Sequence, residues 1–105
     1  MSEISIAEIL THGRRALVED GWCQGTDHQY VEDRVTPVAH CAVGCLQIGT
    51  SDVVLQAQAR LLLDELLMET GTRLLMGWND DKSRTKDDVL ALFDRGIALA
   101  KERGL

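Results

Sequence analysis

The chain has 105 residues, 45% hydrophobic and 27% charged, which is the size and balance of one globular domain spanning residues 1–105. Its 17 acidic and 11 basic residues give a formal net charge of −6, and the sequence lacks the basic stripe with which nucleic-acid binders contact phosphates. The first ten residues lack the basic start and apolar run of a signal peptide, and no stretch approaches the ~20 apolar residues of a membrane span. We therefore expect an acidic cytoplasmic protein with free thiols that binds neither nucleic acid nor membrane.

The first predicted helix opens with Ser5-Ile6-Ala7-Glu8. This pattern is typical of a capping box, in which the serine and glutamate side chains bind free backbone amides at the helix start. Apolar residues then recur at helical spacing as far as Leu17. Gly21 can adopt the left-handed conformation that follows a last turn. The sequence thus predicts a helix from Ile6 to Asp20.

The segment from Gly21 to Thr36 has neither helical nor strand periodicity. We interpret it as a long structured loop that could include a small hairpin, with a short extended segment at Gln29 to Val35. Thr36-Pro37 resembles an N-cap followed by proline at the first helical position. This pattern predicts a second helix from Val38 to Ile48, ended by Gly49.

The third predicted helix runs from Val53 to about Thr70 and carries two apolar stripes. A helix this apolar is usually buried on two sides, and a domain this small need not cover both of them. We therefore predict a homodimer through the second stripe. The first stripe is formed by Leu55, Ala59, Leu62 and Leu66, and the second includes Val54, Leu61 and Met68.

The last helix is predicted to begin after Thr85, with Asp87 and Asp88 in the first turn, where the helix dipole favours carboxylates. The preceding Gly77 to Asp81 segment is interpreted as a turn. These elements together predict an all-α fold, a compact three- or four-helix domain with one long structured loop after the first helix.

Three sequence elements resemble a family of small, uncharacterised bacterial and phage domains that carry a Gly-Trp-Cys-Gln-Gly element and a late Trp-Asn-Asp element. The resemblance covers most of the chain and implies no established activity. The family has Gly-Ala where this chain has Gly44-Cys45, which argues against a special role for Cys45. The matching elements are Gly21-Trp22-Cys23-Gln24-Gly25, the segment from Cys41 to Leu46, and Trp78-Asn79-Asp80 with the following Arg84-Thr85 and Asp88-Val89-Leu90.

A metal site is one possible use of the cysteines. Cys41 and Cys45 are spaced to share one face of a helix, and Cys23, His28 or His40 could add a further ligand. Zinc sites more often use two separated, closely spaced pairs of ligands. We therefore predict no metal and no cofactor, and keep a zinc-stabilised module as a second alternative.

Thiol catalysis is the other chemical alternative. Cys23, His40 and Asn79 or Asp80 have the residue types of a nucleophile, a base and an orienting group. The sequence around Cys23 lacks the local signature of a known nucleophile motif. A small thiol-dependent hydrolase or transferase that uses Cys23 is therefore the first alternative function.

The two tryptophan segments each adjoin a helix end, and antiparallel packing of the first and last helices would bring these ends to the same side. We predict that the segments meet in one pocket or polar cluster. Its members would be Trp22, Cys23, Gln24, Trp78, Asn79 and Asp80. Since no motif specifies a reaction, the main hypothesis is an accessory or regulatory interaction domain that binds another protein or itself.

Overall fold

The computed structural model describes residues 4–30, 37–71 and 74–105. The described residues form a mainly α-helical fold with one small antiparallel sheet, rather than the purely helical fold predicted from the sequence. None of the described helices is both long and apolar enough to cross a membrane. The helices are α1 (Ile6–Glu19), α2 (Ala42–Gly49), α3 (Val53–Met68), α4 (Leu75–Asp80) and α5 (Lys86–Glu102), and the strands are β1 (His28–Tyr30) and β2 (Pro37–His40).

The first and last helices begin as the sequence predicts. At α1, the Ser5 hydroxyl accepts a hydrogen bond from the Glu8 amide at 3.0 Å, and the Glu8 carboxylate accepts one from the Ser5 amide at 3.3 Å. At α5, Thr85 and Asp88 form the same reciprocal pair. Because both capping boxes are local in sequence, the starts of these helices are confirmed.

The predicted second helix is wrong over its first turn. Pro37–His40 forms β2, and α2 begins only at Ala42, after Cys41 as its N-cap. The His40 amide donates to Gly21 O at 2.9 Å, and its carbonyl accepts from the Cys23 amide at 3.1 Å. These distant partners satisfy the backbone in an extended conformation and replace the helical hydrogen bonds.

A small hairpin is present, but only its first strand lies in the predicted loop from Gly21 to Thr36, since β2 begins at Pro37. Strand β1 pairs with β2, with His28 opposite His40 and Gln29 opposite Ala39. The predicted extended segment from Gln29 to Val35 is described only as far as Tyr30. The rest of that segment and the expected cap at Thr36 lie outside the described residues.

Helices α1, α2, α3 and α5 enclose the main hydrophobic core, and α1 contributes the face that contacts both α2 and α5. Helix α3 ends at Met68, slightly before the predicted boundary, and buries one side. Its opposite side remains exposed. The largest fully buried side chains of the core include Phe93, Ile9, Leu10, Leu17, Leu63 and Leu67.

The predicted turn from Gly77 to Asp81 is mostly helical, because α4 spans Leu75–Asp80. The Leu75 amide at the start of α4 donates to the Asp64 carboxylate of α3 at 3.1 Å. One side of the short helix is buried, including Trp78 and Asn79. A contact with α3 and the burial of α4 therefore stabilise a helix that its own sequence does not indicate.

Candidate functional site

The loop after α1 and the end of α4 meet at the side chain of Asn79, which is fully buried. Its Oδ1 accepts hydrogen bonds from the Trp22 indole at 2.7 Å and from the Ala42 amide at 3.0 Å. Its Nδ2 donates to Cys23 O at 3.1 Å and to the Asp80 carboxylate at 3.0 Å. Two acceptor sites and two donors are the whole capacity of an amide side chain. Asn79 is therefore saturated by partners within the chain.

Gln24 and Asp80 extend this arrangement at the surface. The Gln24 side chain donates to Asn79 O at 2.9 Å and to Asp81 O at 2.8 Å, so it binds free carbonyls at the end of α4. The Asp80 carboxylate accepts from the Gly25 amide at 3.0 Å. The structure thus brings Trp22, Gln24, Asn79 and Asp80 together, and we call these four residues the Asn79 cluster.

Trp78 was expected in the same pocket, but its ring lies in another environment. The Arg84 guanidinium lies over the indole, with its Cζ 4.1 Å from the ring centroid. The Arg84 Nε also donates to Trp78 O at 2.9 Å. Trp78 and Arg84 line a groove of about 410 Å³ to which no member of the Asn79 cluster contributes. The indole rings of Trp22 and Trp78 therefore lie in two separate environments.

Cys23 lies beside the Asn79 cluster, and its side chain packs on Ala39 and Cys41. Its thiol donates to Thr26 O at 3.5 Å. Burial, followed by the nearby Cys41, raises the pKa of Cys23 to about 11. Since the thiolate is the reactive form, this environment opposes nucleophilic chemistry near neutral pH.

His40, the candidate base, is fully buried and does not bind the Cys23 thiol. Its Nε2 lies 2.7 Å from Asp20 Oδ2, and its Nδ1 lies 2.8 Å from His28 Nδ1. Both ring nitrogens are therefore occupied. The described residues do not bring Cys23, His40 and Asp80 into the arrangement that a thiol hydrolase requires.

The hydrogen bonds of His40 continue through a row of polar side chains that was not predicted from the sequence. His28 Nε2 lies 2.8 Å from Gln47 Oε1, and Gln47 Nε2 donates to the Asp27 carboxylate at 2.8 Å. This row fastens the hairpin to the end of α1 and to α2. Its members have no common spacing in the sequence, so no pattern could have revealed them.

The other two cysteines occupy structural positions. Cys41 is the N-cap of α2, and its sulfur accepts from the Gly44 amide at 3.4 Å. Cys45 is fully buried, and burial raises its pKa to about 12. Within residues 4–30, 37–71 and 74–105, no group of three histidine, cysteine or acidic side chains is placed to hold a metal ion.

A cleft of about 280 Å³ opens between the loop and α4, next to the Asn79 cluster. Its described lining includes the carboxylates of Asp27 and Asp80 and the thiol of Cys41, and Met76 supplies an apolar wall. No basic side chain is found among these lining residues. The cleft is therefore unsuited to anionic ligands.

No function for Arg84 is predicted from the sequence, although Arg84 follows the Trp78-Asn79-Asp80 element in the region that carries the family resemblance. The only signal was its position six residues after Trp78. That spacing places the guanidinium over the indole only because the chain turns between α4 and α5.

No curated protein and no solved structure matches this chain. One family model does match it, over residues 1–99, and this family is described as a family of unknown function (DUF6197). The matched region includes the Asn79 cluster, the hairpin and most of α5. Since the match covers nearly the whole chain, the protein belongs to the DUF6197 family.

Proposed function

We propose that the protein is an accessory or regulatory interaction domain, and that a second copy of the chain is the partner that fits its exposed apolar surface. The proposal depends on one observation. Val54, Leu61 and Met68 on α3 expose 61%, 67% and 69% of their surfaces. We call these three residues the α3 face. Large apolar side chains grouped on one exposed helix face are typical of protein–protein contacts.

The spacing of the α3 face suits pairing with itself. Val54 and Met68 each lie seven residues from Leu61, and two helical turns return a side chain to almost the same direction. The face is therefore a straight row about 21 Å long at 1.5 Å per residue. An antiparallel copy related by a two-fold axis would place Leu61 on Leu61 and Val54 on Met68. Every contact along the row would then be apolar.

The charges beside the α3 face are compatible with such pairing. Glu65 is bound by both Nη groups of Arg103 at 2.6 and 2.9 Å, and this contact lowers the pKa of Glu65. Glu69 accepts a hydrogen bond from Arg95 at 3.1 Å. Both acids are thus paired with α5 of their own chain. This pairing reduces the like-charge repulsion that two copies would otherwise meet.

The experiment is sedimentation analysis of the full chain over a wide concentration range. We expect a concentration-dependent dimer for the natural protein and a monomer for Leu61→Glu, because a carboxylate at the two-fold axis would face its own copy. Since Leu61 is exposed, the circular dichroism spectrum should stay unchanged. Val18→Glu, at a half-exposed apolar position on α1, is the matched control and should still dimerise.

Two results would overturn the proposal. One is a natural protein that stays monomeric at the highest concentration. The other is equal loss of the dimer in Leu61→Glu and Val18→Glu, which would show a general effect of added charge and no specific use of the α3 face.

A further inference from the structure

A groove of about 410 Å³ lies beside Trp78 and is separate from the α3 face. It lies between α4, the end of α3 and the first half of α5. Leu67 and Leu92 supply apolar walls, while Arg84, Arg95 and Asp88 bring charge to the lining. We call this cavity the Trp78 groove.

The indole N–H of Trp78 is a donor without an acceptor in the part of the chain that the structure describes. Trp78 exposes only 7% of its surface, yet no hydrogen bond involves its Nε1, in contrast to Trp22, whose indole donates to Asn79. No fully buried side-chain nitrogen or oxygen of the described residues lacks a partner. The Trp78 Nε1 must therefore reach the protein surface, and the cavity that Trp78 lines is the Trp78 groove.

Arg84 adds further donors at the same place. Two contacts hold its guanidinium, the stacking on Trp78 and the hydrogen bond from Nε to Trp78 O. Its two Nη groups carry four N–H donors, and none of them binds an acceptor among the described residues. The nearby Asp81 carboxylate binds Ser83 instead, at 2.7 and 2.9 Å. Arg84 is thus fixed in orientation while most of its donors stay available.

The remaining charged groups of the Trp78 groove have partners within the chain. The Asp88 carboxylate accepts from the Thr85 amide at 2.9 Å as part of the capping box, and Arg95 donates to Glu69 at 3.1 Å. Among the described residues, the lining carries the guanidinium groups of Arg84 and Arg95 and the carboxylate of Asp88. The Nη groups of Arg84 and the indole N–H of Trp78 are the donors that remain available, and an anionic ligand complements them because the guanidinium is positively charged.

We propose that the Trp78 groove binds an oxyanion, a carboxylate or a phosphate, carried on a small apolar body. The Arg84 fork would bind two oxygens of the anion side by side, which is the geometry that a guanidinium recognises best. The indole N–H of Trp78 would donate to the same anion, and the apolar body would lie against Leu67 and Leu92. The Arg84 fork and the Trp78 indole would then donate to one anionic group.

The test follows the indole N–H signals of the natural protein by nuclear magnetic resonance during titration. Because the chain has two tryptophans, Trp22 is an internal control, and Trp78→Phe assigns the two signals. Benzoate and phenyl phosphate are the probes, and benzyl alcohol is the uncharged counterpart. We expect a saturable shift of the Trp78 signal with at least one anion, a stationary Trp22 signal and no saturable shift with benzyl alcohol.

The two anions distinguish a carboxylate site from a phosphate site, and inorganic phosphate shows whether the apolar body is needed. Arg84→Lys keeps the charge but loses the fork, so binding should weaken by about tenfold or more. Arg60→Lys is the matched control, because Arg60 is a half-buried arginine on α3 that does not line the Trp78 groove. This variant should bind the anions as the natural protein does.

The proposal is overturned if neither anion gives a saturable shift, or if both indole signals move together. It is also overturned if benzyl alcohol binds as tightly as benzoate. The comparison of benzoate with benzyl alcohol uses only the natural protein, so it remains decisive if a variant fails to fold.

Discussion

Asn79→Ala removes the side chain on which the hairpin loop, α2 and α4 converge. The substitution eliminates four hydrogen bonds at once, since both atoms of the amide are saturated. The groups that lose their partner differ in exposure. Ala42 and Cys23 are buried, whereas Trp22 is only half-buried, and water can therefore reach its indole N–H.

The cost follows from the two buried groups that are left unpaired, the Ala42 amide and the Cys23 carbonyl. An unsatisfied buried donor or acceptor costs about 1–3 kcal/mol, so the pair costs about 2–6 kcal/mol. Alanine returns roughly 0.6 kcal/mol through its higher helix propensity within α4. We therefore expect the free energy of unfolding to fall by about 3 kcal/mol. A domain of this size has about 5–15 kcal/mol in total.

Urea denaturation followed by tryptophan fluorescence measures this change, because Trp22 is half-buried and Trp78 buried in the folded protein and both become exposed on unfolding. Gln58→Ala on the exposed side of α3 is the control, and its effect should stay within about 0.5 kcal/mol. A loss for Asn79→Ala below about 1 kcal/mol would refute the reasoning. It would mean that water replaces the Asn79 amide at no net cost.

Three further outcomes are expected. Gly44→Ala should lower the free energy of unfolding by about 1–3 kcal/mol, because a Cβ at this position would overlap the Asp27 carbonyl. Gly77→Ala faces open space and should be neutral or stabilise the protein by up to about 1 kcal/mol. Equal urea midpoints for the two variants would contradict this expectation. At pH 8 the folded protein should be alkylated at Cys23 about a hundredfold more slowly than the unfolded chain, since the pKa of the thiol is raised from 9.0 to about 11. Equal alkylation rates, measured by mass spectrometry, would contradict this protection. Thermal melts with and without a strong chelator should coincide, and a large drop on chelation would favour the zinc-stabilised alternative.

Local sequence patterns predicted the helices that carry their own start signals. The reciprocal bonds of Ser5 with Glu8 and of Thr85 with Asp88 form between residues three positions apart, so the sequence holds all the information. The periodicity of α3 likewise indicated its two apolar sides. Which of these sides the rest of the chain covers is set by where α1 and α5 pack, and the structure buries Leu63 and leaves Leu61 exposed.

The candidate site was predicted in part. Adjacency to helix ends was enough to expect that Trp22, Gln24, Asn79 and Asp80 would meet, and the structure brings these four together. The same reasoning placed Trp78 with them, and this was wrong for its ring. Residues 78 and 79 are neighbours on a helix, so their side chains diverge by about 100°. The sequence predicted a turn at Gly77 to Asp81 instead of a helix, and so could not predict that these two side chains diverge.

The sequence by itself determined the net negative charge, the capped starts of the first and last helices and the apolar third helix, because charge is a property of composition, and capping and periodicity are properties of nearby residues. Tertiary structure alone decided that Pro37–His40 is a strand, that α4 is a helix and that His40 binds Asp20 and His28. In each of these cases the deciding hydrogen bond comes from a residue at least ten positions away. A backbone segment adopts the conformation that satisfies its polar groups, and here distant parts of the chain supply the partners.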